Sequence, residues 1–169
     1  MRTLLCSLVI ALFIPGFTSI AAAEGMDDGM DHDKLHVAHG WARASLGQNP
    51  NSAAYVTIHN KAETSDRLLG VSCADAPRCA VHNHVTASDV TRMEAVESLD
   101  IVPGAHIEFK AGGYHIMMFD LTAPLVAGGK TRITFSFENA GDMTVTVPVL
   151  SMREAAERSR HSEHKKKHN

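Results

Sequence analysis

The chain has 169 residues, of which 44% are hydrophobic and 21% charged, and its formal net charge is −3. That is enough chain for one domain with its own core and some tail. The composition is that of a soluble globular protein, and so small a net charge gives no grounds for a polyanionic or polycationic partner.

The first 23 residues read as a secretory signal peptide. Met1-Arg2 supplies a positive start, LLCSLVIALFIPGF an apolar run, and Ala21-Ala22-Ala23 a small-residue cleavage pattern ending at Ala23. The run is too short for a membrane anchor and is interrupted by Pro15-Gly16. Cys6 comes at the front of this stretch rather than after it, which disfavours a lipid anchor and removes the residue with the leader. No second apolar span follows, so stable membrane insertion after cleavage is not expected. Residues 24–34, EGMDDGMDHDK, are small and acidic and are expected to be flexible.

From about Leu35 to Leu150 the sequence alternates short strands with turn signals. AAYVTIHN sets Ala54, Val56 and Ile58 against Tyr55, Thr57 and His59. HIEFK sets Ile107 and Phe109 against His106, Glu108 and Lys110. In TRITFSFE, residues Ile133, Phe135 and Phe137 take one face, and DMTVTVPV places Val145, Val147 and Val149 together. Pro103-Gly104, Gly112-Gly113 and Gly128-Gly129 punctuate the rest. Alternation with one apolar face predicts sheets that cover a core on one side and meet water on the other. Strands of this kind in such numbers predict an all-β sandwich or small barrel.

Once Cys6 has gone with the leader, Cys73 and Cys79 are the two cysteines left in an exported, oxidising setting. Such a pair is more often a disulfide than a metal site. Beyond them the candidate ligands begin. His82 is followed by ten residues and Met93, then by 21 residues and His115, and Met117 completes the series H-x10-M-x21-H-x-M. In GGYHIMMFDL, His115 and Met117 leave a strand from the same face, while Tyr114, Ile116 and Met118 leave from the other. Two imidazoles and two thioethers form a soft, uncharged ligand set. Thioether sulfur favours Cu(I), whereas zinc takes thiolate or carboxylate and calcium or magnesium take oxygen. Thioethers also resist the disulfide formation that removes thiolates outside the cytosol. Histidine protonation is then the main route to losing the metal in acid.

This motif is the signature of the PCuAC family, periplasmic copper chaperones with a cupredoxin-like, Greek-key β-sandwich, and the chain resembles that family over nearly the whole of residues 35–150. HGWARAS at 39–45 resembles the opening strand, AAYVTIHN and DRLLGVS the next ones, and GGYHIMMFDL the metal strand. The resemblance implies that His82, Met93, His115 and Met117 are Cu(I) ligands. It also implies delivery of copper towards the CuA domain of cytochrome c oxidase, alongside Sco-type thiol proteins. Two features depart from the usual pattern. Ala111 stands where proline is common before the paired glycines, and Cys73 and Cys79 are additional.

His84, two residues from His82, is a candidate fifth ligand, although a solvent-facing role weighs more. His36, His39, His59 and His106 have no partners at telling spacings, and Trp41 reads as a packing residue. The C-terminal segment 151–169 is rich in histidine and lysine. Ser151 with Glu154 makes a capping box, but a helix there would have no apolar face and would gain little from packing. His161, His164 and His168 are candidates for an accessory Cu(II) site, with Met26, Met30 and His32 a weaker case. The basic end does not speak for nucleic acid, which an exported protein seldom meets. The sequence therefore reads as a non-enzymatic periplasmic protein that binds Cu(I) and passes it on. The rival readings are copper buffering or resistance through the His-rich tail, and an electron-transfer cupredoxin. The latter lacks a cysteine thiolate beside His115.

Overall fold

The computed structural model describes residues 34–166 of the chain, with side chains described up to residue 160. The predicted leader, the acidic segment up to residue 33 and His168 lie outside the described residues, as do the side chains of His161 and His164. The strands are β1 (Leu35–Arg43), β2 (Ser52–Asn60), β3 (Asp66–Cys73), β4 (Arg78–Ala87), β5 (Val90–Ala95), β6 (Leu99–Ile101), β7 (His106–Glu108), β8 (His115–Phe119), β9 (Lys130–Phe137) and β10 (Gly141–Leu150); one helix, α1 (Met152–Lys166), follows. The first strand opens at Leu35 and the last closes at Leu150, the limits that the alternation predicts.

The strands form two layers. One runs β5, β4, β8, β2, β1, with β7 also paired to β2; the other runs β10, β9, β3, β6. A short parallel pairing, Ala42 with Val149 and Arg43 with Leu150, joins them. The core lies between: Val56, Ile58, Val81, Ile116 and Met118 from the first layer meet Leu68, Ile133, Phe135 and Val147 from the second. Period-two burial along β9 follows the predicted faces, with Ile133, Phe135 and Phe137 inward. This is the cupredoxin-like β-sandwich. Cys73 closes β3 in one layer, Cys79 lies in β4 in the other, and a disulfide joins them with the Cα atoms 6.0 Å apart.

Two expectations are corrected. The first is that one face of each sheet meets water, for β2 is buried on both faces. Its outer face carries Ala53 and Tyr55, which pack with Trp41 and Ala155 into a second, smaller core; the Trp41 and Tyr55 rings are 4.4 Å apart. The second concerns the C-terminal segment, where a helix is expected to gain little from packing. Its capping box forms as predicted: Ser151 N and Oγ donate to Glu154 Oε2 at 2.8 and 2.6 Å, and Glu154 N donates back to Ser151 Oγ at 3.3 Å. The helix then docks on the outer face through buried Ala155, and Arg158 Nη2 donates to the His39 carbonyl at 3.3 Å. One alanine and a guanidinium suffice for docking because the apolar surface is supplied by the sheet, not by the helix.

Candidate metal centre

Strand register builds the centre. The β4–β5 hairpin turns at Ser88 and Asp89, both with positive φ (51° and 63°), the conformation that a two-residue hairpin turn requires and that aspartate tolerates. That turn sets His84 directly opposite Met93. On the other side of β4, His82 lies opposite His115 of β8. Val81, Ile116 and Met118 face the core, so His82, His84, His115 and Met117 leave from the outer face. All four residues of the H-x10-M-x21-H-x-M series thus come to one region of one face, spread over three adjacent strands.

His115 is buried, with 4% exposure. Its Nδ1 lies 2.9 Å from the Gly113 carbonyl, which can only accept, so Nδ1 carries the proton and Nε2 presents a bare lone pair. That Nε2 is 3.1 Å from Met93 Sδ. A thioether has no hydrogen to give, so two electron-pair donors face one another. Such a contact becomes favourable when a cation takes both pairs. The separation suits one edge of a coordination shell with bonds of about 2.0 Å to nitrogen and about 2.3 Å to sulfur, as at zinc.

The His82 ring centroid stands 6.0 Å from that of His115 and 5.7 Å from that of Phe119. Those two residues flank Met117 on their face of β8, so the His82 ring is level with Met117. Met117 is half-buried and packs against the second core. Nδ1 of His82 and Nδ1 of His84 are both buried without a hydrogen-bond partner, a costly state for a polar atom that a bound cation relieves. Burial lowers the pKa of His82, and the neighbouring charge of His115 lowers it further. Burial also lowers that of His115, with His84 adding to the effect and the Gly113 hydrogen bond opposing it. His82 and His115 are therefore held towards the neutral form, with their lone pairs available, at neutral pH.

His84 corrects the leaning towards a solvent-facing role. It is half-buried and stacks on His115 with ring centroids 5.0 Å apart and planes 29° apart. Met93, by contrast, is 47% exposed on the edge strand β5, so the centre runs from a buried imidazole to an open thioether. A second group escaped the sequence reading altogether. His36 pairs with His59, and His59 with His106, across β1, β2 and β7. No spacing in the sequence announces that grouping, because it arises only from strand pairing.

Residues 35–149 match the model of the LpqE-like family, described as "Putative lipoprotein LpqE-like". Protein RP573 of Rickettsia prowazekii (strain Madrid E) is 29% identical over 147 residues, covering 81% of each chain. Among solved structures, the copper-bound PCuAC domain from PmoF2 is similar with a TM-score of 0.59 at 25% identity, over 70% of this chain and 93% of that one. The apo form of DR1885 from Deinococcus radiodurans gives 0.52 at 20% identity, over 87% and 97%, and shows the shared fold alone. Among the described residues no helix is long and apolar enough to cross a membrane.

Proposed function

The chain belongs to the LpqE-like family, and on that footing we propose that it is an exported copper chaperone, taking up Cu(I) through His82, Met93, His115 and Met117 and handing it to a partner. One observation carries the reading: the unprotonated Nε2 of buried His115 faces Met93 Sδ at 3.1 Å, with its other nitrogen held by a backbone carbonyl. Imidazole with thioether is a soft and uncharged donor set, suited to Cu(I) and poorly suited to the harder cations. A fold shared with a PCuAC domain solved with copper bound supports the same choice of metal.

Uptake and release follow from the gradient of exposure across the centre. Met93 on the edge strand is the donor that an approaching partner reaches first, and His115 is the last to let go. Exchange of thioether ligands needs no proton transfer. Passing an ion on, rather than transforming a substrate, is the chemistry on offer. In our reading the acceptor is the CuA domain of cytochrome c oxidase, with Sco-type thiol proteins acting beside it, in the periplasm. The disulfide suits that oxidising compartment. His161, His164 and His168 form, on the same reading, an accessory Cu(II) site.

The test is a competitive Cu(I) titration of the mature chain beside Met117→Leu and His115→Ala. Tight one-to-one binding, weakened by about 100-fold or more in both variants, is the expected result, followed by transfer to an isolated CuA domain. Unchanged binding in both variants would remove the four-residue site. Binding of several ions without transfer would instead favour copper buffering through the His-rich tail.

A further inference from the structure

At the far end of β2 from Met117, the outer face of the same layer carries a ladder of histidines. His36, His59 and His106 occupy directly paired positions on three neighbouring strands, which brings side chains on one face within about 5 Å at Cβ. The His59 and His106 rings meet edge to face, with centroids 4.1 Å apart and planes at 89°. His39 lies in the irregularity of β1 between Ala38 and Trp41, with a φ of 54°, and its charge reaches His59. His59 is half-buried, and His39 and His106 are exposed.

We propose that the His59–His106 pair is a second metal seat, selective for a borderline divalent cation of the Cu(II) class and distinct from the thioether centre. The donor chemistry selects the ion. Imidazole nitrogen without thioether or thiolate favours Cu(II) and its neighbours over Cu(I). Among the described residues no group of three His, Cys, Asp or Glu is arranged to hold an ion, so the proposed seat rests on these two imidazoles and leaves the remaining positions to solvent. Burial lowers the pKa of His59, and His106, His39, Lys61 and His36 lower it further, which keeps its lone pair free at neutral pH. The two seats lie six residues apart along β2, about 20 Å, too far for one ion to touch both.

The experiment follows Cu(II) binding to the full mature chain by electron paramagnetic resonance. It compares the wild type with the double variant His59→Gln/His106→Gln and with the triple variant His161→Gln/His164→Gln/His168→Gln. Cu(I) titration of each protein reports whether the thioether centre, and hence the fold, is intact. The expected result is a nitrogen-coordinated Cu(II) equivalent that survives in the triple variant and is weakened about tenfold or more in the double variant, with Cu(I) binding unchanged in both. A Cu(II) isotherm in the double variant identical to wild type would overturn the proposal, as would loss of that equivalent in the triple variant alone. Because Cu(I) is read separately, failure here leaves the chaperone reading standing, and failure of the Cu(I) site leaves this one standing.

Discussion

One hydrogen bond decides the chemistry of His115. With Nδ1 held by the Gly113 carbonyl, only Nε2 can meet a ligand, and it is already turned towards Met93. On the proposed function, acid competes with Cu(I) at that lone pair and at those of His82. Both groups have pKa values below the ordinary imidazole value of 6.5, so protons begin to displace the metal only below that pH. Cu(I) affinity should therefore hold steady down to about pH 6.5 and fall as the pH drops further; a competition series across pH checks this, and a decline that starts above about pH 7 would contradict it. The grouping of His82, Met93, His115 and Met117 on one face was legible in the sequence because a spacing motif and period-two alternation both act along the chain. His84 stacking on His115 was not legible, since it depends on the neighbouring strand, and the ladder of His36, His59 and His106 was hidden for the same reason.

At the scale of elements, α1 was half legible. Ser151 and Glu154 announce the helix start, but its docking needs Trp41, Ala53 and Tyr55 arranged on a finished sheet. Two substitutions separate formation from docking. Ser151→Ala removes the capping oxygen and costs the helix about 1 kcal/mol, visible as lost helical circular dichroism. Ala155→Glu leaves helix propensity nearly intact but puts a charge against Trp41. Trp41 is the chain's single tryptophan, so undocking should appear as a red shift of its emission, and an unmoved spectrum would mean that the helix does not seal that face. Gly40 beside it has no room to vary, because a methyl there would collide with Val147.

For the whole molecule, the alternation of strands foretold the sandwich and its limits, whereas the joining of its layers had to be seen. The chain crosses from β3 to β4 in a few residues, and the Cys73–Cys79 bond closes that crossing. Replacing both cysteines by serine should lower stability by about 2 kcal/mol, read as a fall in melting temperature, while Cu(I) stoichiometry should stay the same because neither sulfur belongs to the proposed site. Coincident melts of the oxidised protein and the double variant would show that the layers need no staple.

Met117 belongs to two neighbourhoods at once. It stands on the face of β8 that carries His115, and it packs against the small core that α1 covers. A residue shared in this way closes a thermodynamic cycle: whatever free energy an ion gains from a seated helix, the helix gains from a bound ion, in equal measure. On the proposed function, the docking of α1 then reports whether the site is filled. By the same cycle, displacing the helix would weaken the hold of Met117 on an ion bound in the proposed site.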